Sequence, residues 1–297
     1  MGYSSKMGNK IDLHMHTTAS DGKDNPETIV NKAKELGLEM ISVTDHDNIN
    51  SLEATAELCN KKRIKFVNGV ELSVMFNTKY YKEGKKPFEL HVLGYGFDKN
   101  NQTFHHELKM NEEYRLKRIL KMVDKVNAVL KENNQPLITE DETQEMISKT
   151  KGAIGRPHLA QLLVDKKIVK DFNEAFNLYL VELNVPKRII TLKEGSELIK
   201  NAGGKVVLAH PGTGGSHSLS DITTDLKIQE KIISSMLDYI DGIECYYWEH
   251  SKEETEFYIN FAKKNNLIIT GGTVHHGGER EQIGQLEIDD SVMEQFD

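Results

Sequence analysis

Histidines and carboxylates recur along this chain of 297 residues where they could converge on metal ions. His14-Met15-His16 comes first. In a strand, residues two apart point to one face, so both imidazoles can meet a single ion. Asp21 follows in a loop with Ser20 and Gly22. Thr44-Asp45-His46-Asp47 stands directly after the apolar residues 40–43. Glu71 interrupts the apolar stretch Val67-Asn68-Gly69-Val70-Glu71-Leu72. A carboxylate there costs several kcal/mol unless it is paired or metal-bound. His91 lies in Leu90-His91-Val92-Leu93, and His210-Pro211-Gly212 ends Val206-Val207-Leu208-Ala209. The last group is Gly271-Gly272-Thr273-Val274-His275-His276-Gly277.

Singly, these features have ordinary explanations. Asp21 could be a turn residue, Glu71 could pair with a buried arginine, and His91 could be a satisfied core histidine. The joint pattern is stronger. His14, His16, Asp21, His46, Glu71, His91, His210 and His276 all fall within or just after expected strands. Mixed imidazole and carboxylate donors suit Zn²⁺, Mn²⁺ or iron, and so many donors imply two or three divalent ions.

The elements that must position them alternate. Strands are expected over residues 11–16, 40–44, 66–74, 89–97, 205–209, 242–247 and 267–270. Helices are expected from Asn25-Pro26 to about Gly37 and over 51–62, 194–201, 228–239 and 253–264. Asn as N-cap with Pro at the first helical position is a helix start, and Gly a natural stop. Strands alternating with helices imply an α/β fold with a mainly parallel sheet. Polar residues at the carboxyl ends of buried strands are where barrel enzymes keep their chemistry. From about residue 102 the rhythm changes to a charged helical stretch, with Leu116, Ile119, Leu120, Val123, Val126 and Leu130 three and four apart. Residues 99–190 therefore read as a helical insertion between the barrel segments 10–98 and 191–285.

The net charge of −8, from 46 acidic and 38 basic residues, argues against a protein that tracks long nucleic acid by charge. A small phosphorylated substrate is compatible, because bound metal supplies local positive charge. Two cysteines, Cys59 and Cys245, form no CxxC pair, which fits a reducing cytoplasm. No apolar run is long enough for a membrane span, and residues 1–9 lack the apolar centre of a signal peptide. Glu89 and Tyr95 border the fourth strand and could shape a pocket. Tyr246, Tyr247 and Trp248 could flank a nucleobase or simply pack.

In order, His14-x-His16, Asp21, Thr44-Asp45-His46, Gly69-Val70-Glu71, His91, Gly155-Arg156-Pro157-His158, Ala209-His210-Pro211 and His276-Gly277 resemble the polymerase and histidinol phosphatase (PHP) family over residues 11–277. The insertion and the Gly-Arg-Pro-His stretch resemble its branch that hydrolyses small nucleotides, including 3′,5′-bisphosphates. The resemblance implies a distorted seven-stranded β/α barrel and a trinuclear site. His14 and His16 would hold one ion with Glu71. Asp21, His46 and His276 would hold a second, and Glu71, His91 and His210 a third. Arg156 and His158 would contact substrate phosphate, since a guanidinium fork matches phosphate oxygens. His210 or Asp45 could assist proton transfer. The family's final motif usually carries an Asp where this chain has Val274, which cannot ligate; His275 beside it is a possible substitute. Three readings follow: a phosphomonoesterase acting on a nucleotide, a degenerate binding module with an incomplete first metal position, and a hydrolase of C–N bonds. The last ordinarily uses a bridging lysine that no candidate strand end supplies.

Overall fold

Short strands and well-capped helices follow one another along the chain. The computed structural model describes residues 7–8, 10–150, 154–214, 217–279 and 281–296, so most of the N-terminal segment discussed above lies outside the described residues. Two compact units divide the chain: Met1–His105 with Ile189–Asp297, and His106–Arg188. The first unit opens with β1 (Met7–Gly8), β2 (Ile11–Asp12), α1 (Pro26–Glu35), β3 (Met40–Ile41), α2 (Leu52–Lys62), β4 (Lys65–Phe66), β5 (Gly69–Phe76) and β6 (Phe88–Tyr95). Helix α3 (Gln102–Glu132) runs into the second unit, which continues with α4 (Glu140–Lys149), α5 (Arg156–Asp165), α6 (Phe172–Ala175) and a π-helical turn, Phe176–Leu180. The first unit resumes with β7 (Ile190–Thr191), α7 (Leu192–Asn201), β8 (Lys205–Leu208), α8 (Leu226–Ser234), β9 (Gly242–Tyr247), α9 (Lys252–Lys264), β10 (Ile268–Gly272), β11 (Ile288–Asp289) and α10 (Ser291–Glu294).

The helix starts follow side-chain chemistry. The Asn25 side chain accepts the Thr28 N–H at 2.9 Å, with Pro26 at the first helical position. Thr139–Glu142, Thr191–Glu194 and Ser251–Glu254 each close reciprocal capping boxes on α4, α7 and α9. Several strands end earlier than expected, β2 at Asp12 and β3 at Ile41. His14 and His16 lie beyond β2, yet the parallel bridge Met15–His275 keeps their alternation.

The first unit is mixed α/β with mostly parallel pairing. Its largest sheet has the order β10-β9-β8-β6-β5-β7, and a second has β2-β3-β4. β6 runs antiparallel to both β5 and β8. No long helix separates β5 from β6, so the chain turns back directly, and a crossover is needed only for parallel neighbours. The Leu13 N–H donates to Gly271 O at 3.1 Å beside β10. On the other side, Asp47 N–H donates to Glu71 O at 2.8 Å, and Glu71 N–H to Asp45 O at 3.3 Å. Ile11, Leu13, Met40, Leu93, Tyr95, Val207 and Ile288 share one core beneath the site residues. The second unit has its own core, in which Ile119, Met122, Val126, Leu130, Leu159, Leu163 and Leu180 are completely buried. No helix among the described residues is long and apolar enough to cross a membrane.

Candidate metal centre

Glu71 sits at the middle of the cluster. It projects from β5, almost fully buried, and its two oxygens divide five histidines between them. Oε2 lies 3.1 Å from His14 Nε2, 3.2 Å from His16 Nε2 and 3.2 Å from His46 Nδ1. Oε1 lies 2.8 Å from His91 Nδ1 and 3.0 Å from His210 Nε2. No arginine partners it among the described residues. Asp21 faces a second set: His276 Nε2 at 3.4 Å, and His16 Nδ1 and His46 Nε2 each at 3.7 Å. The His16 and His276 rings stack with centroids 4.1 Å apart.

These donors suit metal ions better than one another. Both ring nitrogens of His16, and Nδ1 of His210, are buried without a hydrogen-bond partner. Leaving such groups unsatisfied costs about 1–3 kcal/mol each, and an ion among them removes that cost for any nitrogen it binds. Within the sets His14/His16/Glu71, His16/Asp21/His46/His276 and His46/Glu71/His91, one donor atom per residue lies within 4.8 Å of the rest.

The protonation states are strongly biased. Burial pushes His46 down to about 3, against the pull of Glu71 and Asp21. Burial and the nearby His276 also lower His16. Neutral imidazoles are the form that ligates. Burial would lower His14 too, but Glu244 and Glu71 on either side overcome it and raise it to about 10. Burial opposes ionisation of Glu71, yet His46, His14 and His91 hold it well below the usual carboxylate range. Asp21 is likewise depressed: burial resists its charge, and His46 and His276 favour it. His276 is raised, with burial outweighed by Asp21.

Several supporting residues escaped the sequence reading. Glu244, on β9 and fully buried, accepts a hydrogen bond from His14 Nδ1 at 2.9 Å and from the His210 N–H at 2.7 Å. Its place in Gly-Ile-Glu-Cys-Tyr matches the signal that singled out Glu71, a carboxylate inside an apolar strand. Buried Asp12 accepts from Thr273 N–H and Oγ1 and from Gly284 N–H, at 3.0, 2.7 and 3.0 Å. Gly272 touches the His14 backbone so closely that a Cβ would meet His14 N at 2.4 Å.

Other expectations are corrected. Asp45 is nearly fully buried and gives its carboxylate to the loop: it accepts from Thr17 N–H and Oγ1, each at 2.8 Å, from Ser20 Oγ at 2.7 Å and from Ser51 Oγ. With its oxygens so engaged it holds that loop in place. His275 turns the other way, to Asp24 Oδ2 at 2.8 Å and Glu281 O at 2.7 Å, and replaces no missing ligand. Val274 stands in the wall of a cavity of about 400 Å³ shared by Asp21, His46, Glu71, His91, His210 and His276. Tyr247, Trp248, Glu249 and Glu281 form more of that wall, and no lysine lines it among the described residues. Arg156 and His158 belong to the second unit, in the first turn of α5. The Arg156 guanidinium lies 5.4 Å from the Phe176 ring centroid, and His158 Nδ1 accepts the Gly155 N–H at 3.1 Å.

A carboxylate shared by five histidines, beside a second carboxylate–histidine set, is a donor arrangement suited to a hydrolytic metal centre. The PHP domain model matches residues 12–185, and the chain belongs to this family. It is a metal-dependent phosphoesterase. The 3′,5′-nucleoside bisphosphate phosphatase of Chromobacterium violaceum is 28% identical over 93% of this chain and 91% of its own. The 5′-3′ exoribonuclease Rnm of Escherichia coli is 26% identical over 89% of this chain and 84% of its own. A Bifidobacterium adolescentis structure assigned as a metal-dependent phosphoesterase superposes with a TM-score of 0.75 at 25% identity, over 96% of this chain and 94% of that one.

Proposed function

We propose that this chain removes a phosphate monoester from a small nucleotide, with a 3′,5′-bisphosphate as the leading candidate. The observation that carries this is the sharing of Glu71 between two histidine sets. His14, His16 and Glu71 would hold one ion, Asp21, His46 and His276 a second, and Glu71, His91 and His210 a third, with manganese, zinc or iron as candidates. When bound, such ions activate water at neutral pH and neutralise phosphoryl charge. The chain's own residues prepare for them. His276 donates through Nδ1 to the Val274 carbonyl at 2.7 Å, which leaves Nε2 to face Asp21. Glu244 holds His14 by Nδ1, so that Nε2 faces Glu71. Tyr247 and Trp248 offer aromatic wall to a nucleobase. Arg156 and His158 are assigned to substrate phosphate by the resemblance. We read the sheets of the first unit as one distorted seven-stranded barrel, supported by the Leu13–Gly271 and Asp45–Glu71 backbone hydrogen bonds.

The exoribonuclease relatives favour a second reading, in which the phosphoester belongs to an RNA end. One assay separates the two: phosphate and nucleotide release, with added Mn²⁺, from nucleoside 3′,5′-bisphosphates and from 5′-phosphorylated oligoribonucleotides. Phosphate release from the bisphosphate, lost in His16→Ala, is the expected result. Release of mononucleotides from RNA alone would move the assignment to the exonuclease. No turnover above the His16→Ala control on either substrate, with metal bound, would leave the degenerate module.

A further inference from the structure

Beside the set gathered by Glu71, one more group of ligating side chains stands together. Glu89 and His91 lie two apart on β6 and so share a face. His217 approaches them from the loop after β8. One donor atom from each of the three lies within 4.8 Å of the other two. Glu89 Oε1 is 4.0 Å from His217 Nε2, and the His91 and His217 ring centroids are 4.9 Å apart. We propose that Glu89, His91 and His217 form an additional divalent-cation site of the zinc type, adjoining the Glu71 cluster through His91.

The donor set carries the choice of ion. Two imidazoles and one carboxylate are a zinc complement, and they leave a position open for water or a phosphate oxygen. Ligands about 2.1 Å from a tetrahedral ion stand roughly 3.4 Å from one another. The 4.0 Å gap between Glu89 and His217 is too long for a hydrogen bond, and it needs only a small closure to hold an ion. His91 presents Nδ1 to Glu71 at 2.8 Å, which leaves its other ring nitrogen for this set. A neutral imidazole has one lone-pair nitrogen, so holding ions on both sides of the His91 ring requires the ring to give up its second proton and bridge as an imidazolate. His91 also lines the cavity, so an ion held here stands next to the place where a phosphate would enter.

The test is a count of bound Zn²⁺ after equilibrium dialysis at micromolar free Zn²⁺, read by elemental analysis. Wild type is expected to hold one Zn²⁺ more per chain than either His217→Ala or Glu89→Gln, and the double variant to lose no more than either single. The His217 side chain is 37% exposed, so its truncation leaves the fold intact. In a Glu71→Gln background, which weakens the main cluster, adding His217→Ala should still remove one Zn²⁺ per chain. Equal zinc content in wild type, His217→Ala and Glu89→Gln would overturn the site. So would loss of every ion from His217→Ala, which would make His217 a support of the Glu71 cluster. The count is independent of phosphate release, so it stands or falls apart from the proposed reaction.

Discussion

Val274 is a β-branched residue held at φ +52°, a left-handed conformation that disfavours such side chains. Asp and Asn adopt that region far more readily. Val274→Asp should ease strain of about 1 kcal/mol and place a carboxylate in the cavity wall. Higher melting of the metal-free protein and more retained metal are expected. If neither changes, the missing carboxylate does not explain any weakness of the first ion position. Glu244 makes the complementary case. Its carboxylate fixes both the His14 ring and the His210 backbone. Glu244→Gln cannot accept from both, and supports of this kind typically contribute 10- to 100-fold in metal affinity. Zinc titration against a chromogenic chelator should show a loss in that range, with unchanged affinity counting against the role. Most of the candidate donors drew attention in the sequence because they stood in or directly after an apolar run, whereas Asp21 stood in a polar loop. Glu244 carried the same signal as Glu71, a carboxylate inside an apolar strand.

At the scale of elements, helix starts were more legible than strand pairings. A cap is local: Asn25-Pro26 announces itself within two residues. The antiparallel course of β6 depends on partners far along the chain, β5 on one side and β8 on the other, which alternation alone does not encode. Glu254 shows how a local signal acquires a distant job. It caps α9 through Ser251, and it also accepts from Thr213 N–H and Oγ1, each at 2.8 Å, in the loop that follows His210. Burial opposes its charge, but the Ser251 and Thr213 donors prevail and hold its carboxyl below the usual range. A depressed carboxyl stabilises above its unfolded pKa, near 4.3, and loses that contribution as pH falls through the lower folded value. Glu254→Gln should therefore cost about 1 kcal/mol at pH 7 and flatten the acid limb below pH 4.3. Urea melts at pH 7 and pH 3 check this. A constant difference between variant and wild type at both pH values would show that the charge is not what matters.

At the scale of the whole molecule, the two units differ in what ordering them requires. The second closes a helical core of its own from aliphatic side chains. The first buries a carboxylate and several imidazoles beside its core, with nitrogens of His16 and His210 left without partners. Ions that bind only the folded state stabilise it by mass action, about 4 kcal/mol at a thousand times Kd. The consequence should be uneven. Trp248 is the chain's one tryptophan and lines the cavity, so its fluorescence reports on the first unit. Chelation should lower the melting temperature read by Trp248 by several degrees, and adding Mn²⁺ or Zn²⁺ should restore it. Far-ultraviolet circular dichroism, which sums the helices of both units, should shift less. His16→Ala should melt lower than wild type when metal is present and should shift less on chelation. Coincident shifts in both signals, smaller in His16→Ala, would mean that the two units unfold as one and that the cluster stabilises the entire chain. No shift on chelation of protein shown to carry metal would remove the ions from the folding balance altogether.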